Sequence, residues 1–430
     1  MAEVSLSDLV EIAVGGLWGS ETRTEKENTP VRVIRGVDAH RMSQREIVNL
    51  PVRWVRANQL ATRTLGIGDV VLEASGACGR SYVVRKTDIN GNQLPLSFSN
   101  FSRRLIPNAK VDPTYLGYRL KQAYESDELA LYVTGTAMPN LDTHSALTGL
   151  SIFLPPLPEQ REIASILGAL DDKIELNRRM NATLEAMARA LFQSWFVNFD
   201  PVRAKAEGRQ PVGMDADTAA LFPDSFEDSA LGPIPTGWEA GQLSNLAQLN
   251  PEAWSNSNRP ETLQYVDLSN TKWGRIESIT PFLNTEAPSR AQRVLRVLDT
   301  IVGTVRPGNG SYALVTVDGL TGSTGFAALR PLATHSAEFV YLAATSVESI
   351  DVLAQLADGG AYPAVRPEVV AGLKVVIPSA NVLSAFSSRT RTLFSLTSKN
   401  ERQSELSEKV RDQILPKLLS GELRVGDVAA

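Results

Sequence analysis

The sequence predicts an α+β chain in which one module, a mixed α/β domain followed by a long helix, is used twice. Three observations predict this architecture. A pattern in residues 135–155 recurs in residues 359–378, an apolar periodicity typical of a helix follows both copies, and short β-branched runs separated by turn residues precede them. The 430 residues are enough for two or three domains.

The repeat is closest where a strand, a proline and a helix follow one another. Both copies contain Gly-x-Ala-x-Pro, a Gly-Leu pair, an apolar run and a proline, and from Gly149 and Gly372 onward their offset is constant at 223 residues. One heptad row of the first helix contains Ile163, Leu170, Asn177, Leu184 and Leu191. The same offset gives Phe386, Leu393, Asn400, Ser407 and Ile414. An asparagine in a coiled-coil seam lowers stability but fixes the register, so we expect the two helices to pair through this row.

Earlier parts of the module repeat more loosely, as expected if loops differ within a shared framework. The stretch 68–84 resembles 298–314, with Asp69 over Asp299 and Ser81-Tyr82 over Ser311-Tyr312, while LSDLVEI resembles LSNLAQL and FSRRLIP resembles FAALRP. The predicted boundaries are 1–157 for the first domain, 158–197 for a central spacer helix, 198–235 for a linker, 236–380 for the second domain, 381–421 for a distal spacer helix and 422–430 for a C-terminal tail.

Composition limits the class of protein. The net charge of −5 argues mildly against a nucleic-acid binder, but residues 31–63 carry seven arginines against two acids, while residues 198–235 carry seven acids against three bases. The single cysteine, Cys78, excludes an internal disulfide and is predicted to be a packed side chain. No secretory signal or membrane span is recognisable, so a cytoplasmic protein is expected.

Motifs for catalysis are missing from the sequence. No Gly-Lys pair, H-E-x-x-H or C-x-x-C occurs, and the three histidines have no metal-ligand spacing. The stretch GNGSYA at 308–313 lies between two strand-like runs, which favours a hairpin loop over a dinucleotide site. Adjacent Asp171 and Asp172 are expected on a solvated helix face. The sequence therefore predicts no catalytic residue and no metal ligand.

With the repeat established, the chain resembles the specificity subunits of type I restriction-modification systems. The resemblance is carried by LPPLPEQREIASILGALDDKIELN, by LFQSWFVNFDPVRAKAEGR, by GPIPTGWE and by QILPKLLSGEL, and it covers essentially the whole chain. Two features depart from the pattern. The first module lacks a counterpart of IPTGWE, and the second helix opens with PSANVLSAF and has no Pro-x-x-Glu-Gln. The second departure leaves open whether the two helices bind partners equivalently.

The resemblance implies two target-recognition domains separated by two long antiparallel coiled-coil helices, with no chemistry and no cofactor on this chain. The implied partners are double-stranded DNA and two methylation subunits that use S-adenosylmethionine to methylate adenine. Binding of restriction subunits is left open. A helix of about 39 residues would span roughly 58 Å, more than one turn of DNA, so a target of two half-sites with an unspecified gap is expected.

Candidate DNA contacts lie in turns, because base reading needs side chains that enter a groove. The candidates in the first domain are Arg80, Ser81, Tyr82, Thr136 and Asn140. Those in the second domain are Arg306, Asn309, Ser311, Tyr312, Tyr362 and Arg366. Phosphate contacts are predicted for Arg32, Arg35, Arg41 and Arg45, and the outward helix faces are candidates for the partner. Two alternatives remain: a methyltransferase or nuclease acting alone, and a coiled-coil scaffold without sequence recognition.

Overall fold

A computed structural model describes residues 2–46, 48–90, 93–255 and 257–428. The chain forms two compact units. The first consists of Met1–Arg179 with Asn400–Ala430, and the second of Met180–Lys399. Two long helices, Leu157–Phe192 and Ala380–Ser420, each contribute one segment to each unit. The first unit therefore contains the end of the chain, which the sequence boundaries assigned to a distal helix and a tail.

The first unit is built on a four-stranded antiparallel sheet and a smaller three-stranded sheet. The four strands are, in order, Val10–Gly15, Ser102–Pro107, Val70–Glu73 and Ser81–Val83. The smaller sheet has the order Val52–Val55, Thr29–Ile34 and Leu96–Phe98, and its last pair is parallel. Two-stranded pairs join Ala2–Ser5 to Ser151–Leu154 and Val133–Thr134 to Asn140–Leu141.

Short helices connect these strands. Asp112 begins the longest of them, since its carboxylate accepts hydrogen bonds from the backbone N–H groups of Thr114 and Tyr115, and Pro113 suits the first helical position. The α-helices are Gly36–Ser43, Leu60–Arg63, Lys86–Ile89, Pro113–Glu125, Thr143–Gly149 and Val425–Val428. Single 3₁₀ turns lie at Leu6–Asp8, Ala57–Gln59 and Leu129–Tyr132.

The second unit is built on two four-stranded sheets. The first runs Ala247–Leu249, Phe326–Pro331, Thr300–Gly303 and Tyr312–Leu314, in the same order as the four-stranded sheet of the first unit. The other runs Thr280–Leu283, Thr262–Val266, Leu320–Ser323 and Ala291–Val294, again with one parallel pair and with one strand more than the three-stranded sheet of the first unit. Two-stranded pairs join Glu239–Gln242 to Lys374–Ile377, Phe226–Ser229 to Gly232–Pro235, and Thr271–Lys272 to Arg275–Ile276.

The helices of the second unit complete the repeat. They are Gln193–Val197, which is a π-helical turn, Asp200–Ala206, Ala216–Ala220, Ala337–Ala344, Val347–Leu356 and Pro367–Ala371. Single 3₁₀ turns lie at Leu243–Asn245, Leu268–Asn270, Pro307–Asn309 and Thr334–Ser336. Since Leu6–Asp8 and Leu243–Asn245 open the two copies in the same way, the α+β repeat predicted from the sequence is confirmed.

A buried ion pair marks the same place in both units. Asp69 lies before strand Val70–Glu73 and accepts from Arg104, with 2.8 Å between Oδ2 and Nε. Asp299 precedes Thr300–Gly303 and accepts from Arg330, with 2.9 Å between Oδ1 and Nε. Each aspartate also accepts a hydrogen bond from the backbone N–H three residues before it. The pairing of Asp69 with Asp299 in the repeat therefore reflects a shared structural role.

The proposed match of Ser81-Tyr82 with Ser311-Tyr312 is wrong by one residue. Leu72 pairs with Ser81 in the first unit, whereas Val302 pairs with Tyr312 in the second. Because successive side chains of a strand point to opposite faces, a slip of one residue exchanges the faces. Tyr82 accordingly shares a core cluster with Val71, while Tyr312 shares one with Val302. The loop before the second strand is one residue longer in the second unit, which hid this register from sequence comparison.

The predicted seam is present in each unit as an antiparallel helix pair. In the first unit, Asn177 is buried and its Nδ2 donates to the backbone carbonyl of Asn400 at 3.2 Å, while Asp171 pairs with Arg411. In the second unit, Asn181 Nδ2 donates to the carbonyl of Thr397 at 3.3 Å. Among the other seam positions, Ile163 and Phe386 are buried, and Leu170, Leu184, Leu191, Leu393 and Ile414 are partly buried. Ser407 is also buried.

Two segments differ from their predictions. The stretch 198–235, predicted as a linker, contains two helices and a hairpin, and Phe199 and Phe222 lie in the main core of the second unit. Asp171 is not on a solvated face, because its carboxylate accepts from Tyr118 Oη at 2.6 Å and its side chain is 14% exposed. In both cases, packing against residues distant in sequence replaced solvent.

Candidate nucleic-acid interface

Two of the predicted recognition loops meet in the first unit. Loop 74–80 leaves the larger sheet, and loop 135–140 follows the 3₁₀ turn Leu129–Tyr132. Ser75 Oγ donates to Asn140 Oδ1 at 2.5 Å, and the backbone N–H of Gly76 donates to Pro139 at 3.2 Å. Thr136 and Met138 lie exposed beside this junction. Loops 54 or more residues apart in sequence therefore form one surface.

The corresponding loops meet in the second unit. The backbone N–H of Arg306 donates to Pro363 at 2.7 Å, and that of Val365 donates to Thr304 at 2.9 Å. The Arg306 guanidinium lies 4.6 Å from the ring centre of Tyr362 and also donates to the carbonyl of Ala361. A hairpin loop was expected at 308–313, and the turn Pro307–Asn309 between two strands confirms it.

The exposed groups on this second loop pair have the chemistry that base and phosphate contacts need. Arg306, Asn309 and Arg366 are exposed, and Tyr362 is 71% exposed. Guanidinium and amide groups form the bidentate contacts by which proteins distinguish guanine and adenine. The predicted contacts Thr136 and Asn140 of the first unit are exposed too, although the Asn140 amide also bonds within its own loop.

Three predicted contacts lie in the packed interior instead. Tyr82 is 3% exposed and its hydroxyl donates to Asp88, while Ser311 donates to the carbonyl of Leu268 at 3.0 Å. Tyr312 is 6% exposed, and Arg189 Nη2 donates to its hydroxyl at 3.4 Å. Burial raises the pKa of Tyr82 and Tyr312. Because these side chains belong to sheet faces that other elements cover, a base has no access to them.

The arginine-rich segment is largely occupied with internal contacts. Arg35 pairs with Asp38 at 2.6 Å, Arg41 with Glu46 at 2.7 Å and Arg45 with Asp172 at 3.2 Å. Arg32 donates to the carbonyl of Asp88 at 2.9 Å. Their contact with phosphate stays a prediction, and each arginine would have to share or exchange a partner that it already holds.

A groove of about 700 Å³ opens in the first unit, and Arg80 and Ser81 line it. Its basic lining residues are Arg45, Arg80, Arg85, Lys86, Lys121, Arg178 and Arg411, against the acids Glu125, Asp171 and Glu408. The excess of positive charge is local, since the whole chain is acidic. Arg80 thus faces this groove and the ring of Tyr124, 5.7 Å away, rather than the junction of the two loops.

Trp273 is a candidate that sequence reasoning missed. It lies between strands Thr271–Lys272 and Arg275–Ile276, beside loop 304–310, and is 57% exposed. The only signal in the sequence is a Trp-Gly pair between two short polar runs, which marks a turn but not its neighbour.

Among the described residues, the cysteine and the metal-ligating side chains define no further candidate site. Cys78 is buried as predicted, and burial raises the pKa of its thiol. Within the described ranges, no group of three or more His, Cys, Asp and Glu side chains is arranged to hold a metal ion. No single helix among the described residues has the length and apolar character to cross a membrane. Within the described ranges, one bent pair, Thr334–Ala344 and Val347–Leu356, reaches those limits when its two helices are taken together.

Comparison with known proteins shows which class this chain resembles. Residues 1–186 match the family described as type I restriction modification DNA specificity domain. The type I restriction enzyme HindI specificity subunit of Haemophilus influenzae is 27% identical over 65% of this chain and 71% of its own length. The MjaIX specificity subunit of Methanocaldococcus jannaschii is 25% identical over 78% of this chain and 74% of its own. Residues 1–186 thus resemble a type I DNA specificity domain, and the relatives that cover more of the chain are specificity subunits of type I restriction enzymes.

A solved structure supports the fold independently. The S subunit of a type I restriction-modification system from M. genitalium superimposes with a TM-score of 0.60 over 97% of this chain and 96% of that chain, at 14% identity. At this identity the similarity defines the fold, in which two α+β units share long helices.

Proposed function

We propose that this chain selects the DNA target of a type I restriction-modification complex, and that each unit reads one half of a bipartite site. One observation carries the proposal. The same pair of loops, 74–80 with 135–140 and 304–310 with 358–366, meets at the same place in both copies of the module, yet the exposed side chains differ. A shared framework with different loops is what the recognition of two different half-sites requires.

The chain acts without catalysing a reaction. The methylation subunits bind S-adenosylmethionine and methylate adenine, and this chain brings them to the target. The specificity role of the relatives supports this division of labour. Because the substrate is genomic DNA, the complex works in the cytoplasm.

The outward faces of the long helices are the proposed docking surface for two methylation subunits. In the first unit Leu176, Leu406 and Val410 are exposed on these helices, and in the second unit Met187 and Leu396 are exposed. Leu406 and Val410 are one helical turn apart and so form a contiguous apolar patch, the kind of surface that marks an interface. Restriction subunits would join the assembly through the methylation subunits or through this chain.

The experiment is to map methylated adenines in DNA modified by the reconstituted complex. We expect a split site with two constant half-sites and an unspecified gap. Replacing residues 236–380 with the equivalent domain of another specificity subunit should change one half-site completely and leave the other unchanged. A change in both half-sites would refute the assignment of one half-site to each unit.

Salt dependence supplies the control. Binding of the complete complex to target and non-target duplexes should be compared over a range of salt concentrations, since non-specific phosphate contacts are lost first. Equal loss on both duplexes would show a scaffold without sequence recognition. Binding of S-adenosylmethionine by the isolated chain would contradict the non-catalytic role.

A further inference from the structure

Trp273 exposes most of its indole at the tip of a hairpin, although an indole is among the largest apolar side chains. The hairpin consists of Thr271–Lys272 and Arg275–Ile276, and 57% of the Trp273 surface is accessible. An exposed aromatic ring needs no functional explanation if it is mobile. The position of Trp273 is instead fixed by several contacts within the second unit.

Backbone hydrogen bonds and a close ring contact hold the residue. Its N–H donates to the carbonyl of Gly310 at 2.7 Å, and the N–H of Gly274 donates to Tyr312 at 2.9 Å. Trp273 has φ of 46°, a left-handed conformation that is strained for a bulky side chain. The ring lies against Gly310, where an added Cβ would come within 2.5 Å of it. Strain retained at an exposed position is characteristic of binding sites.

The indole continues the recognition surface of the second unit. Gly310 ends the turn that carries Arg306 and Asn309, and Arg306 stacks on Tyr362. Arg306 also has a left-handed backbone, with φ of 47°. We call the exposed groups of Trp273, Arg306, Asn309 and Tyr362 the Trp273 surface. It combines two aromatic faces, one cation and one amide in fixed positions.

Among the described residues of the first unit, none is a counterpart of this indole. Its strand Thr29–Ile34 leads into the helix Gly36–Ser43, whereas the equivalent strand Thr262–Val266 leads to the hairpin that carries Trp273. The exposed apolar residue at the loop junction of the first unit is Met138. This difference between the two units therefore lies in the segment that follows the shared strand, and a difference there is expected if the two half-sites differ.

We infer that Trp273 contacts a base in the half-site read by the second unit and helps to determine its identity. The inference rests on the proposed function. A flat apolar ring beside an amide suits the edge of an A·T pair, where an amide can bind adenine and the thymine methyl group gives an apolar contact. The second half-site should therefore contain an A·T pair at the position facing Trp273.

The test uses the complete complex carrying Trp273→Ala, with methylated adenines mapped across a genome. We expect about a tenfold loss of discrimination at one position of one half-site, the range typical of a lost base contact. The other half-site and the gap should be unchanged. Gly310→Ala should give the same relaxation with the indole still present, because its Cβ would displace the ring.

Trp18→Ala is the matched control, since Trp18 is a 40% exposed tryptophan of the first unit. It should leave the second half-site unaltered. An unchanged methylation pattern in the Trp273→Ala complex overturns the inference while leaving the proposed function intact. Loss of association with the methylation subunits would also overturn it, by making Trp273 a protein contact. Absence of any sequence preference in the unmodified complex would instead refute the proposed function.

Discussion

The first unit leaves a groove of about 700 Å³ beside strand Ser81–Val83, whereas the second unit covers the equivalent strand Tyr312–Leu314 with a hairpin. The residues that line the groove and those beside the hairpin correspond through the 223-residue offset. Tyr118 and Glu408 line the groove, and their counterparts Tyr341 and Glu185 lie next to Gly274 of the hairpin. A short helix and a hairpin, inserted at one point of the same sheet topology, thus give two different surfaces.

The parts that do not differ are the ones that hold the framework. Both units keep the order of the four-stranded sheet, the 3₁₀ turn at their start and the buried aspartate paired with an arginine. Leu105 and Leu329 occupy corresponding positions, because they pair with corresponding residues of the neighbouring strand. Arg104 precedes Leu105 on its strand, whereas Arg330 follows Leu329, so the two arginines are not at equivalent positions. The ion pair is retained although its arginine occupies a different position on the strand in each unit.

The largest effect is expected for Arg330→Ala. The side chain of Asp299 is completely buried, so removing its partner leaves an uncompensated charge, which costs about 3–5 kcal/mol. Urea unfolding followed by tryptophan fluorescence should show the loss. Arg104→Ala is the comparison, and a smaller loss is expected because Asp69 keeps 7% exposure. Equal and small losses in both variants would show that the pair is not part of the framework.

Gln160→Leu should destabilise the first unit by about 2 kcal/mol. Gln160 is buried and accepts from the backbone N–H of Asp112 at 2.8 Å while donating to the carbonyl of Pro155 at 2.8 Å. Leucine would leave these groups buried without partners. The second unit carries Leu383 at the equivalent position, where Leu383→Met should cost less than about 1.5 kcal/mol. If Gln160→Leu left the free energy of unfolding unchanged, the hydrogen bonds of Gln160 would not be a stabilising feature specific to the first unit.

Asn177→Leu should raise the free energy of unfolding by about 1 kcal/mol, because Oδ1 of Asn177 is buried without a partner among the described residues and the amide lowers helix-pair stability. The measurement is denaturant unfolding of the isolated chain. We also expect poorer assembly with the methylation subunits, since the register is less strictly fixed. A fall in stability would show that the bond to the Asn400 carbonyl outweighs the cost of burying the amide.

The smallest effect is expected for Tyr82→Phe and Tyr312→Phe on target choice. Both hydroxyls have internal partners, and the two residues are only 3% and 6% exposed. Methylation maps should match those of the unmodified complex at every position. An altered half-site in either variant would restore these residues as contacts and break the contrast with Trp273.

Several features of the candidate site could be predicted from the sequence. Loops 135–140 and 359–366 are recognisable as repeats of Gly-x-Ala-x-Pro, Tyr362 is exposed in the second of them, and Arg306 and Asn309 are exposed in the hairpin loop expected at 308–313 and its flank. The pairing of each with a second loop could not be predicted, because it depends on hydrogen bonds such as that from Arg306 to Pro363 across more than fifty residues. The burial of Tyr82 and Tyr312 could not be predicted either, because it depends on which face of each strand is covered.

The sequence by itself determined the repeat, the two long helices and their buried asparagines, because these depend on periodicity and on spacing along the chain, while the class of protein rested on the resemblance of its motifs. The tertiary structure alone decided the register of Ser81–Val83 against its counterpart, the burial of Tyr82, Ser311 and Tyr312, and the exposure of Trp273. These depend on which face of a strand is covered by residues distant in sequence. A shift of one residue in a loop is enough to reverse that face.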